Sequence, residues 1–183
     1  MYAYYDTGVL LPFYVQEVFS EAVLALANSR HETIPFNLFQ QLEMETAIRL
    51  KHFRGEIDST RLHAVIADRD ADIRNGRLLL CPVNWVNALE EARRLGALAT
   101  ARCGCRTLDL VHVAIAMQWQ CDVFVTADNR QLKAARSAGL ATVDVRAFGR
   151  GDESGETGAP VRTVREKHAR YRSKMKHTAP QVR

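Results

Sequence analysis

No pair among the four cysteines has the two-residue spacing of a zinc knuckle or a redox motif. Cys103-Gly104-Cys105 is too close for an ordinary disulfide and lacks a second ligand pair, so with Cys81 and Cys121 these residues read as reduced packing groups of a cytosolic protein. No stretch approaches the ~20 apolar residues of a membrane span. The first residues offer neither a basic n-region nor a long apolar h-region. A cytoplasmic location with no signal peptide and no membrane partner is therefore expected. Internal repeats are missing as well. So is charge of one sign over most of the chain: from Gly151 onward stand eight Lys/Arg against four Asp/Glu, so the net +4 belongs to the tail and the body is neutral.

What is present is enough apolar residue, 47% of 183, for one domain with a real core. Tyr2-Ala3-Tyr4-Tyr5 is β-prone and runs into an Asp6-Thr7-Gly8 turn. Glu17 to Asn28 has helical spacing at Val18, Ala22, Val23, Leu26 and Ala27. Thr33-Ile34-Pro35 is an extended link, because the residue before proline avoids the helical region. Phe39, Leu42, Glu43, Thr46, Ala47 and Leu50 mark one face of a helix near Leu38 to Phe53. Glu45 points away from that face and reads as solvated. A further helix, capped by Asp58 or Ser59, runs to about Arg74, and a strand follows from Arg77 to Val83. Asn84 or Asn87 caps the next helix, to Arg102, with Asn87 and Glu90 at capping-box spacing. Thr107 caps another, Cys121 to Thr126 is an apolar strand, Asp128 to Ala138 is helical and stops at Gly139, and Ala141 to Val145 is a last strand. Helices separating short apolar strands specify an α/β fold, a parallel sheet of about four to five strands flanked by helices on both faces. Residues 1–149 form this domain; 150–183 form a Gly/Ser/Glu linker and a basic tail, disordered or partly helical.

Ligands of parallel α/β sheets bind beyond the carboxyl ends of the strands. Asp6 directly follows the first strand, and Asp128 follows the Val123–Thr126 strand by two residues. Asp109 lies in the first turn of the helix that leads into that strand, and Glu43 lies on the marked helix face. Each acid has a plain structural reading: an Asx-turn for Asp6, a dipole-facing residue for Asp109, an N-cap for Asp128, a half-exposed helix residue for Glu43. Four carboxylates at one sheet edge repel one another unless a cation binds or some stay protonated. Oxygen ligands without a histidine or thiol set favour Mg²⁺ or Mn²⁺.

The ordered segments YYDTGVLLPFYVQE, LFQQLEMETAIRLK, RTLDLVHVAIAM and CDVFVTADNRQLKAARSAGL resemble the four motifs of the PIN-domain ribonucleases, most closely the VapC-type toxins. The resemblance covers most of residues 2–145 and implies a PIN-like three-layer α/β/α fold. It implies that Asp6, Glu43, Asp109 and Asp128 are catalytic, metal-binding acids, with Thr126, and Thr7 in the same way, supporting them through a hydroxyl. The activity implied is Mg²⁺- or Mn²⁺-dependent endoribonucleolytic hydrolysis of RNA, by the toxin of a toxin–antitoxin pair. Its partners would be an RNA substrate, a small antitoxin and, as a homodimer, a second copy of the chain. Leu62, Val65, Ile66 and Phe53 could form the antitoxin groove or simply be core. Glu43 could serve a second metal or orient the attacking water, and His112 reads as a packing residue that bonds locally.

Basic groups must hold the phosphates, since an acidic site attracts no RNA by itself. Arg106 and Arg130 are the preferred pair, each beside a site acid, with Arg49, Lys51, His52, Arg54 and Arg102 as further candidates or solvated surface. The alternative function is a PIN-like module that binds RNA or protein without cleaving it. A receiver-type or phosphatase domain is a third option, but a receiver would need an acidic pair after the first strand and a central phosphoacceptor, and neither is present. The tail is read as an RNA- or partner-binding segment rather than a solubilising one. Truncation at Arg150 is expected to leave the fold intact and weaken RNA affinity. The slope of log K against log salt should fall by about 0.7 for each single-strand phosphate that the tail no longer neutralises. Unchanged affinity and slope would remove that role.

Overall fold

Uninterrupted burial over Ala3–Tyr5 makes the first strand, β1, and its two faces meet different partners. Tyr5 and Ala3 face one side, with Val123 and Val125 of strand β4 (Val123–Thr126); Tyr4 faces the other, with Phe124. β1 and β4 pair in parallel, Tyr4 opposite Phe124, and those rings stack at 5.4 Å between centroids. A ring pair of this kind adds roughly 0.5–1.5 kcal/mol beyond the burial of its area. The structure, a computed structural model, describes residues 2–30 and 33–148. The expected linker and tail over 150–183 lie outside the described residues.

The remaining elements are α1 (Thr7–Leu10), a 3-10 turn (Leu11–Phe13), α2 (Ser20–Arg30), β2 (Ile34–Phe36), α3 (Leu38–Phe53), α4 (Ser59–Arg74), β3 (Leu78–Leu80), α5 (Trp85–Cys103), α6 (Thr107–Gln118), α7 (Asn129–Ser137) and β5 (Ala141–Asp144). β1, β4 and β5 form one parallel ladder, and β2 and β3 a second. β2 lies beside β1, which gives the spatial order β3-β2-β1-β4-β5. At the junction the Tyr5 carbonyl accepts from Gln40 Nε2 at 2.7 Å, so a side chain from α3 completes what a strand would otherwise supply. The early helices, α1 to α4, pack with Tyr5 and Val125; α5, α6 and α7 pack with Tyr4 and Phe124. The result is the α/β architecture with helices on both faces of a short parallel sheet.

Several local expectations are corrected. Thr33-Ile34-Pro35 is not merely a link, because Ile34–Phe36 pairs with Leu78–Leu80 as β2. α2 begins at Ser20, leaving Val18 outside the helix and exposed. The strand expected over Arg77 to Val83 shortens to Leu78–Leu80. Of the two candidate asparagines it is Asn84 that caps α5, accepting from Asn87 N at 3.2 Å. Arg106, not Thr107, occupies the N-cap position of α6. The buried stripe of α3 is Gln40, Met44 and Ile48, while Leu42 is 64% exposed and Thr46 and Leu50 are exposed too. Glu45, expected in solvent, pairs at 2.9 Å with the buried guanidinium of Arg69. Leu62 and Val65 belong to the core, whereas Phe53 is 85% exposed.

Candidate active site

Asp6 stands where β1 ends. Its extended backbone and its carboxylate cap α1, Oδ1 accepting from Val9 N at 2.8 Å. The second oxygen accepts from Thr126 Oγ1 at 2.6 Å, across the ladder at the end of β4. The residue is only 5% exposed. Burial first, with the nearby Asp128 carboxylate adding to it, raises the Asp6 carboxyl from 3.8 to about 6, against the opposing pull of Thr126, His112 and the Val9 amide.

Thr126 is the hub. Its hydroxyl accepts from Asp128 N at 3.0 Å and lies 3.0 Å from Gln131 Oε1. Asp128 is the N-cap of α7, Oδ1 accepting from Arg130 N at 2.6 Å and Gln131 N at 3.3 Å. Gln131, buried on the inner face of α7, turns its amide nitrogen to Asp109 Oδ1 at 3.2 Å. Asp109 closes the first turn of α6, its other oxygen accepting from Arg106 N at 2.9 Å. Thr126, whose one proton goes to Asp6 or to Gln131, and Gln131, which donates to Asp109, thus place the three aspartates beside one another.

Glu43 joins from the other flank. Its Oε2 accepts from Thr7 Oγ1 at 2.5 Å and lies 2.8 Å from His112 Nε2. The buried His112 does not bond locally, as its position one turn after Asp109 suggests. It spans the core from Tyr4, whose hydroxyl lies 2.8 Å from Nδ1. Nε2–H of the imidazole donates to Glu43, while Nδ1 faces the Tyr4 hydroxyl. Burial holds the Tyr4 phenol well above its ordinary range, which keeps it a donor.

The four acids therefore share one end of the sheet, in two hydrogen-bonded groups: Asp6, Asp109 and Asp128 through Thr126 and Gln131, and Glu43 through Thr7. Among the described residues no three His, Cys, Asp or Glu side chains converge closely enough to hold one metal ion. The donor chemistry suits a hard divalent cation, since all four are carboxylates. Arg130 Nε lies 3.6 Å from Asp128 Oδ1, and the exposed Arg106 flanks Asp109. The sequence reading missed Gln131 and the Tyr4–His112 pair. Gln131 occupies the third helical position after the Asp128 cap, where a capping-box residue would reach back to the cap; that spacing was the available signal. Tyr4 and His112 carry none, being apolar-face residues in sequence.

The fold with this edge is of the PIN-like α/β class. Among solved structures the chain is similar to one in the crystal structure of FitAcB from Neisseria gonorrhoeae, with a TM-score of 0.55, 15% identity, and coverage of 79% of this chain and 98% of that one. The likeness is one of fold. No protein-family model and no curated protein matches the chain. Among the described residues no helix is long and apolar enough to cross a membrane.

Proposed function

We propose that the chain is a Mg²⁺- or Mn²⁺-dependent endoribonuclease and the toxin of a toxin–antitoxin pair. The observation that carries this reading is the placement of Asp6 and Asp128 at the carboxyl ends of neighbouring parallel strands, with Thr126 between them and Gln131 tying in Asp109. Asp6, Asp109 and Asp128 would hold the ion; Glu43 would hold a second or orient the attacking water. When bound, such a cation supplies charge neutralisation, an acidified water and Lewis-acid assistance to phosphodiester hydrolysis. Thr126 and Gln131 keep the aspartates in register. The Tyr4–His112 pair and Thr7 fix the Glu43 carboxylate, so that a water above its free oxygen would be aligned rather than loosely held. The small antitoxin and a second copy of the chain are the partners that accompany this reading.

The test is cleavage of a structured RNA with and without Mn²⁺ or Mg²⁺. Cleavage that needs the ion and disappears in Asp109→Asn supports a nuclease; RNA binding without cleavage at any ion concentration supports the non-catalytic module. One observation favours that second reading, the lack of three converging carboxylates among the described residues. To hold an ion together, the carboxylates must draw closer to one another than they stand here.

A melting experiment addresses the ion directly. At neutral pH an excess of Mn²⁺ one hundred times its dissociation constant should stabilise the protein by about 2.7 kcal/mol. For a domain of this size that is a rise of roughly 5–10 °C. The gain should shrink as pH falls through about 6, where Asp6 takes up a proton that competes with the ion. A melting temperature indifferent to millimolar Mn²⁺ would remove the metal site. Arg106→Ala and Arg130→Ala should each lower RNA affinity across all sequences and reduce the salt slope by about 0.7; an unaltered slope would place both outside the RNA path.

A further inference from the structure

The residues between α5 and α6 bring two thiols together beside the candidate active site. Cys103 closes α5 and Cys105 precedes α6, and their sulfurs are 3.4 Å apart. A disulfide bond is about 2.05 Å long, so a closure of little more than an ångström joins them. The residue between them, Gly104, has φ of 68°, where the absence of a Cβ lets the chain adjust most freely. Sequence spacing alone argues against this pairing; the left-handed glycine turns both sulfurs to the same side.

We propose that Cys103 and Cys105 form a two-electron redox site, a dithiol that closes to a disulfide under hydrogen peroxide and thereby loosens the start of α6. Neither sulfur is disulfide-bonded in this structure. Cys103 is half-buried and Cys105 buried, and burial pushes the Cys105 thiol up. Cys103 is therefore the attacking group and Cys105 the resolving one. The partly exposed Cys103 meets an oxidant from the surface, while the buried Cys105 lies in the wall of a cavity of about 360 Å³ between α5 and α6, with Ala92, Gly96, Thr107 and Leu110, which leaves its side chain room to move.

The chemistry balances in two steps. The Cys103 thiolate attacks one peroxide oxygen, the O–O bond breaks, and Cys103 becomes a sulfenic acid while the departing hydroxide takes up a proton as water. The Cys105 sulfur then attacks the Cys103 sulfur, the S–O bond breaks, and a second water leaves with the Cys105 proton. Two electrons pass from the thiols to the peroxide, and an external dithiol returns them.

Oxidation removes both S–H donors. Cys105 Sγ lies 3.0 Å from the Arg130 carbonyl and Cys103 Sγ 3.0 Å from that of Ala99, so both carbonyls lose a donor when the bond forms. Arg130 sits in the first turn of α7, and its N–H is held by Asp128. Arg106, the next residue after Cys105, gives its N–H to Asp109. Pulling Cys105 toward Cys103 therefore acts on the turn that fixes Asp109 and on the one that fixes Asp128.

The experiment uses the reduced full-length chain treated with one equivalent of hydrogen peroxide, followed by alkylation, mass mapping and hydrogen exchange. The expected result is loss of two hydrogens from the peptide carrying Cys103 and Cys105, with Cys81 and Cys121 still alkylated. Exchange of the Arg106 amide should quicken by about tenfold or more, and dithiothreitol should restore it. Cys105→Ser should form no such bond, and its Arg106 amide should not respond to peroxide. Alkylation of both thiols after peroxide treatment overturns the site. A disulfide with unchanged Arg106 exchange overturns its coupling to α6. Neither readout involves RNA or a metal ion, so the nuclease reading stands or falls separately.

Discussion

Asp6→Asn should abolish cleavage, by at least about a hundredfold, while making the metal-free protein more stable. The two effects have one cause. Asp6 is buried at the end of β1 with its carboxyl raised from 3.8 to about 6. Its folded-state value lies above the unfolded one, so between about pH 4 and 6 the folded protein holds a proton that the unfolded chain has lost. Stability of the metal-free wild type must then fall as pH rises through that window and level off above it. Two pKa units at 1.36 kcal/mol each bound the cost near 3 kcal/mol. Asparagine keeps an oxygen for the Val9 amide, so the α1 cap survives. The introduced side-chain amide can donate to Thr126, leaving the Thr126 proton for Gln131 Oε1 3.0 Å away. Denaturant melts at pH 4.5 and 7.5 with chelator present should show the wild type losing stability between the two and the variant losing less. A variant that is less stable at pH 7.5 would contradict the electrostatic account; one that still cleaves at wild-type rates would remove Asp6 from the chemistry.

Much of this arrangement is legible in sequence because strand ends and helix caps are local. Asp6 and Asp128 both terminate apolar runs, and both cap the helix that follows, which a single chain pass can see. The location of Asp109 in a first turn is equally local. Face assignment on α3 is not. Its apolar residues fall on more than one stripe, and the winning stripe is set by Gln40, a polar residue buried because the Tyr5 carbonyl needs a donor where β1 meets β2. Leu42 loses that competition and is left in solvent. His112 escapes a sequence reading for the same reason, its partners Glu43 and Tyr4 being far away in the chain, whereas Gln131 stands at a local capping spacing and only its bond to Asp109, 22 residues away, is hidden. Cys103 and Cys105 escape it because their approach depends on the φ of one glycine.

The same non-local logic makes Glu45 a sharper test than its sequence context implies. Arg69 is 1% exposed, an unusual position for a guanidinium. Glu45 and Asp70 approach its Nη2 at 2.9 and 2.6 Å, while Nη1 is buried with no hydrogen-bond partner. Glu45→Gln preserves shape and the capacity to accept a hydrogen bond, yet removes one of the two charges that compensate the buried cation. Losing a partner from a buried pair costs roughly 3–5 kcal/mol. Asp70 remains and Glu45 is 30% exposed, so the expected loss is about 2 kcal/mol, several times that of an ordinary surface substitution. Arg69→Met should cost less than Glu45→Gln. It removes the desolvated charge and the unpaired Nη1 together, fills similar volume, and frees Glu45 and Asp70 to turn to water. In the double variant the Glu45→Gln penalty should vanish, because no cation is left for Glu45 to neutralise. Urea melts of the four proteins complete the cycle, and a Glu45→Gln penalty that persists in the Arg69→Met background would show that Glu45 acts through something other than the buried guanidinium.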